Sequence, residues 1–513
     1  MSNQWDVIVV GSGMGGMVTA AALSKLGHKV LMLEQYDALG GQTHSFSRDG
    51  FSWDAGIHYL GGFGPDVSER AMLDRLCDSP IELAPVGAVY DTLHMEDAAP
   101  LQLSRPVAAQ RMDLKERFPD ETEAIDAWFD AILEGTDALT AVVQGRPIPS
   151  VFSSALKWWR SRKITRYCER TTAEVAAEIT SNRELANVLM AQWGDFGGRP
   201  STASFAIHAA VMKSYLESGA YYPTGGASSI ARHMLPAITN AGGDARAGVE
   251  VTSLIMENGI VTGVETVDGE KLYAKRVVSN IGARETVDRL LPECHGHDDW
   301  VKEIRSIGPN ICHYSLFLGF SGDVETAGMT KSNHWLYPTG EVDVVWTDAP
   351  NGNPPAMFVS FASLKDPSHD PGPDRKYAGE MITWSDWSTV ERWADLASGE
   401  RGEDYESFKK KIETVLLEQF AHYFPQLAEL IVFHEVSTPL ATASITGHRR
   451  GSFYGLDVTP HRITTDALRM KTPIEGLYLT GQDVLTPGIP GAFWGGFLCA
   501  GSIDPKVFSH MNG

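Results

Sequence analysis

The 513-residue sequence predicts an α/β protein of two units: one wound around a parallel sheet, the other of mixed α+β character and inserted into the first. Three observations predict it. Residues 7–34 read as strand, glycine turn, helix and strand. Residues 476–503 return to a strand, a Pro/Gly turn and an apolar helix. Between them lie a long helical stretch and a run of short alternating strands that do not continue the opening pattern.

The opening element is the most specific. Val7-Ile8-Val9-Val10 runs straight into Gly11-Ser12-Gly13-Met14-Gly15-Gly16. A helix-like stretch follows from Met17 to Lys25, then Gly27-His28, then a strand from Lys29 to Leu33 that ends on Glu34. This is the dinucleotide-binding, Rossmann-type fingerprint in its required context. Gly11 allows the tight turn, Gly13 lets backbone approach a pyrophosphate, and Gly16 lets helix pack on strand. The helix N-terminus offers free N–H groups to phosphates, and Glu34 suits ribose hydroxyls. Gly40-Gly41-Gln42 after the acid is a flavin-type feature, allowing the chain to cross close to a cofactor. Phe51 to Gly62 then alternates and turns glycine-rich, which suggests backbone laid against a flat ligand.

From about 105 to 220 the pattern is helical. It breaks at Tyr221 to Gly226, and Ala227 to Ile238 reads as a helix. Strands are expected at Ala247–Met256, Ile260–Val267 and Lys271–Ser279, joined by hairpin turns at Asn258-Gly259 and Asp268-Gly269. At the far end Asp483 follows a strand and suits ribityl hydroxyls, and Gly491 and Ala492 open a helix whose N-terminus favours negative charge.

Composition bounds the function. Apolar content of 43% with 21% charged residues is that of a globular protein, and a net charge of −22 argues against nucleic acid and against broad adhesion to an anionic membrane. Five cysteines, an odd number with no C-x-x-C, fit a reduced compartment. Cys294 to Asp299 contains metal-ligand types but reads as a solvated loop, so no metal is expected. With no signal peptide before the first strand and no apolar run near the ~20 residues of a membrane span, the expected location is cytoplasmic or peripheral on a membrane's inner face. One local exception to the acidity is Ser150–Cys168, where Trp158-Trp159 sit among Lys157, Arg160, Arg162, Lys163 and Arg166, a composition suited to docking at a membrane interface.

With these motifs in place, the chain resembles the FAD enzymes of the phytoene desaturase, carotenoid isomerase and retinol saturase group over almost its full length. The resemblance is carried by the fingerprint with Glu34, Gly40-Gly41, Asp54 to Tyr59, Tyr222 to Gly226, Val278-Ser279-Asn280, Tyr454-Gly455-Leu456 and Gly476 to Ala492. Gly56-Ile57-His58-Tyr59 and Ser360 to Pro367 look most like retinol saturase, the latter close to that family's S-F-P-S-A-K-D-P run. Gln42 stands where many desaturases have arginine, which leans away from a plain carotene desaturase.

The resemblance implies a glutathione reductase-like FAD domain from 1–95, 225–305 and 440–513, with a substrate domain from 96–224 and 306–439. It implies non-covalent FAD contacted by Gly11, Ser12, Gly13, Gly16, Glu34, Gln35, Gly41, Gln42, Val251, Gly481, Asp483, Gly491 and Ala492, with Ile57, His58 and Tyr59 near the isoalloxazine. His58 and Tyr59 are the candidate catalytic residues, as proton donor or polarising group, and Tyr221, Tyr222, Tyr454 and Trp494 the candidate pocket walls. The implied reaction acts on C=C or C–C bonds of a lipophilic isoprenoid or polyene: saturation first, then cis–trans isomerisation or desaturation. A flavin amine oxidase and a non-catalytic FAD-bound lipid carrier are the competing classes. A single dinucleotide fingerprint points to electrons exchanged with oxygen, a quinone or a carrier protein, or not exchanged at all in a redox-neutral isomerisation, rather than to bound NAD(P)H.

Overall fold

The computed structural model describes residues 5–96, 98–145, 162–293 and 296–511. One sheet joins the two ends of the chain. Trp5–Val10 runs parallel to Val30–Leu33 on one side and to Lys271–Ser279 on the other. Asp244–Arg246 and Leu477–Leu479 extend it outward, again in parallel. The strand interiors are fully buried because helices Met14–Lys25, Ser228–Thr239 and Gly488–Ile503 pack against this unit, which is why Val7 to Val10 is unbroken apolar sequence.

Lys271–Ser279 serves two sheets. Its last residues join the parallel sheet, while Lys271 to Tyr273 pair with Ile260–Thr266, which pairs with Val251–Glu257. The Asn258-Gly259 turn has both residues at positive φ, the geometry expected of a two-residue hairpin. The third strand expected here begins at Val251 rather than Ala247. Asp244–Arg246 is instead claimed by the parallel sheet, and Gly248 turns at positive φ, its N–H bonded to Tyr36 O.

A second, mixed sheet has the order Ile431–Ser437, Cys312–Ser321, Lys376–Ser385, Met357–Ser360, Asn333–Tyr337, Val89–Met95, Leu101–Ser104. Val89–Met95 thus lies in this sheet, ahead of the boundary expected at 95. Period-two alternation sorts its faces. Tyr314, Leu316 and Leu318 enter a core covered by the helix Gly402–Tyr423, while His313, Ser315 and Phe317 turn to the opposite side with Glu380. Helices Thr122–Gly145 and Phe205–Ser218 pack together beside this face. The basic, Trp-rich stretch around Trp158-Trp159 falls in 146–161, outside the described residues.

The two chain ends meet through glycine. A Cβ on Gly496 would lie 2.5 Å from Gly15 O and 2.7 Å from Val18 Cβ, and one on Gly15 would overlap Gly481. The first and last long helices can therefore touch backbone to backbone.

Candidate active site

A cavity of about 1040 Å³ runs between the two sheets. It exceeds the roughly 300–1,000 Å³ typical of one small-molecule site. One end is the fingerprint. Gly11, Gly13, Glu34, Gln35, Gly41, Gln42 and Val251 line it there, and Asp483, Gly491 and Ala492 line it further along. Glu34 is buried and fixed: its Oε2 accepts from Ser12 N at 2.9 Å and Ser12 Oγ at 2.7 Å, and its Oε1 from Tyr36 N at 3.0 Å. Asp483 is fixed likewise, accepting from Ala283 N at 2.8 Å and Leu456 N at 3.0 Å. This explains Tyr454-Gly455-Leu456: any Cβ on Gly455 would strike the Asp483 carboxylate.

Several expected contacts take other roles. Ser12 faces Glu34 and its hydroxyl accepts from Gly40 N at 2.8 Å, while Gly16 packs on Gly11 O; neither lines the cavity. Gly481 is likewise a packing residue, set against Gly15 and Gly495, and the Ile57 side chain is buried in the core of the parallel-sheet unit. Gly41, at φ +56°, crosses the fingerprint itself, a Cβ there falling 2.8 Å from Gly13 Cα. The helix expected from Gly491 starts at Gly488, which leaves Gly491 and Ala492 one turn inside it. Tyr454 and Trp494 line the cavity, but Tyr221 and Tyr222 do not. Their short strand is sandwiched between two others, and the Tyr222 hydroxyl donates to Asp54, which also accepts from Ser45 Oγ and Ala227 N.

The other end of the cavity carries buried ionisable groups. His58 lines it, with Nδ1 3.8 Å from Glu380 Oε2, too long for a hydrogen bond. Burial, reinforced by the charge of Lys365, holds the His58 imidazole down to about 3, and burial pushes the Glu380 carboxyl up to about 8. At neutral pH both are uncharged, and the proton resides on the carboxyl. Of the two roles expected for His58, a neutral ring fits the polarising one, whereas Glu380 has a proton to give.

Tyr59 also lines the cavity. Its ring stacks on Tyr215 with centroids 4.8 Å apart, and its hydroxyl reaches both Asp91 and Asp195. Behind it Lys365 is fully buried and donates to His58 O at 2.9 Å, Ser360 Oγ at 2.7 Å and Asn333 Oδ1. Burial lowers the Lys365 ammonium to about 7. The two segments most like retinol saturase therefore meet in space, Lys365 of one on the backbone of His58 in the other. Sequence reasoning missed Asp91, Asp195, Glu380 and Lys365. Lys365 carried a signal, lying in the Ser360 to Pro367 segment that resembles retinol saturase, a few residues after the buried strand Met357–Ser360.

The fold and cleft define a dinucleotide-dependent enzyme. The model of the NAD(P)-binding Rossmann-like domain matches residues 9–76. All-trans-retinol 13,14-reductase of Rattus norvegicus is 31% identical over 97% of this chain and 85% of that protein, and the Homo sapiens protein of that name 30% over the same shares. The chain belongs to the retinol saturase-like family of oxidoreductases. Prolycopene isomerase of Daucus carota is 25% identical over 97% of this chain and 80% of its own length. Among solved structures, putrescine oxidase bound to putrescine shares the fold with a TM-score of 0.62 at 15% identity, covering 98% of this chain and 99% of that one.

Proposed function

We propose that the protein binds FAD non-covalently and saturates a C=C bond of a lipophilic isoprenoid or polyene. The full-length similarity to all-trans-retinol 13,14-reductases carries this reading. The residues present fit the cofactor. Glu34 and the glycine turn suit its adenosine and pyrophosphate, Asp483 its ribityl chain, and the first turns of Gly488–Ile503 the electron-rich end of its ring. Bound there, FAD supplies the two-electron chemistry, a hydride exchanged with carbon. The protein supplies the rest. Tyr454 and Trp494 wall the cavity, and the helix Thr122–Gly145 adds Leu139 and Val143 from one face. Buried acids hold the proton that saturation adds to the second carbon. No helix among the described residues is long and apolar enough to cross a membrane. The basic aromatic composition around Trp158 supports a peripheral docking point for a membrane-dissolved substrate. Electrons arrive from a quinol or a carrier protein.

The test is product mass. Purified protein with a bound-flavin spectrum is incubated, oxidised or pre-reduced, with all-trans-retinol and with carotenoids in liposomes. Gain of two hydrogens supports the proposal. Loss of two means desaturation, and unchanged mass with altered retention means isomerisation. Turnover of amines with no change in any lipid refutes it.

A further inference from the structure

Two carboxylates converge on one hydroxyl. Tyr59 Oη lies 3.0 Å from Asp91 Oδ2 and 2.8 and 3.1 Å from the two oxygens of Asp195. A phenol has one proton to donate. If both acids were ionised, one of these contacts would set oxygen against oxygen in a buried site with nothing between them, so the cluster holds a second proton. The surroundings decide where. Asp91 is fully buried and receives two further N–H donors, Asn333 Nδ2 at 3.0 Å and Gln192 Nε2 at 2.6 Å. Asn333 in turn accepts from Lys365, so a cation stands one amide behind Asp91. Asp91 is built to stay charged. Asp195 meets only the hydroxyls of Tyr59 and Tyr215, with no amide donor or cation behind it among the described residues, and of the two acids it alone lines the cavity.

We infer that Asp195 is the acid that protonates the substrate, with Tyr59 and Asp91 as positioning residues that keep it neutral and in place. The inference rests on the C=C reading and deepens it. Two-electron-reduced flavin bound in the cleft would supply the hydride that one carbon of the double bond receives. The π pair bonds the adjacent carbon to the Asp195 proton, the O–H pair stays behind as carboxylate, and solvent restores the proton. Burial, then the charge of Asp91, pushes the Asp195 carboxyl well above the ordinary carboxylate range. Among the described residues the titratable groups facing it are Asp91 and the phenols of Tyr59, Tyr90, Tyr215, Tyr337 and Tyr454, and Lys365 stands behind the Tyr59 ring rather than against Asp195.

The first measurement needs no turnover. Infrared difference spectra of flavin-loaded wild type against Asp195→Asn at pH 7 are expected to show a deuterium-sensitive carboxylic-acid C=O band that the variant lacks. In Asp91→Asn that band should titrate away at lower pH, and the alkaline limb of the rate profile should move with it, which a purely structural role would not do. A carboxylate signature for Asp195 at pH 7 overturns the inference. In single turnovers of dithionite-reduced enzyme with all-trans-retinol in phosphatidylcholine liposomes, Asp195→Asn is expected to slow reduction about 100-fold or more at unchanged flavin content. An unchanged rate overturns the donor role, and a loss confined to Glu380→Gln moves it to Glu380. Wild type that yields no dihydro product overturns the C=C reading itself, and the donor role with it.

Discussion

Replacing Glu380 by glutamine tests the buried electrostatics through stability. The carboxyl is pushed up to about 8 by burial, from an ordinary value near ~4.3. The folded state therefore binds a proton that the unfolded chain has released between these two values. Stability from this group is fully present below the unfolded value and lost as pH rises through about 8. At about 1.4 kcal/mol per unit, the loss is of order 4–5 kcal/mol by pH 9. Glutamine keeps the shape and has no proton to lose. The variant should match wild type near pH 5 and become progressively more stable than it toward pH 9. Lys365 acts oppositely, since its folded value is lowered to about 7 and stability rises above that, but this contribution is common to both proteins and cancels in the difference. For a chain of this length, 1 kcal/mol is on the order of 1–2 °C. Thermal unfolding of the FAD-saturated proteins from pH 5 to 9 should show curves that part by roughly 5 °C at the alkaline end. Parallel curves would mean that Glu380 ionises normally, and would remove the argument that it is neutral in the cavity.

Other expected outcomes test separate parts of the molecule. Lys365→Met leaves three acceptors without a donor and Asp91 without its nearest cation; urea unfolding should show a loss of about 3–5 kcal/mol, partly restored by adding Asp91→Asn. Glu34→Ala removes the acceptor that fixes Ser12 and faces the nucleotide end, and flavin fluorescence titration should show affinity lower by about one to two orders of magnitude. Gly496→Ala forces a methyl onto Gly15 O and Val18, where two backbones would have to part; a cost of about 1–3 kcal/mol and weaker flavin retention on gel filtration are expected.

What was legible in the sequence was what is local in the chain. The fingerprint, its acid and the hairpin turns depend on residues a few positions apart, and glycine at Gly11 or Gly259 reports a positive φ directly. The partnership of Gly40-Gly41 with the fingerprint was half legible: a close approach was readable, but not that Gly13 is the backbone approached by Gly41, which also lines the cavity. Tyr221 and Tyr222 were misplaced because a four-residue strand does not say which neighbours cover it. The acid cluster was out of reach for a stronger reason. Tyr59, Asp91, Asp195, Asn333 and Lys365 come from five separate stretches, and although Tyr59 was singled out, nothing near it in the sequence points to the other four as its partners. Only the fold brings them together.

That cluster bears on which reaction this scaffold performs. Relatives named as a retinol reductase and as a prolycopene isomerase both align along the chain, so the cofactor cleft cannot by itself separate them. Proton demand can. Isomerisation returns every hydrogen it displaces, whereas saturation consumes one proton from the protein in each turnover. Taking a carboxylate or an ammonium out of water costs several kcal/mol, recovered only through good partners. This chain buries Asp91 and Lys365 completely and sets two neutral acids, Asp195 and Glu380, on the cavity wall. A site that merely rotated double bonds would gain nothing from a carboxylate and an ammonium buried, at that cost, behind neutral acids. A site that must deliver a proton to carbon, away from water, needs at least one of them.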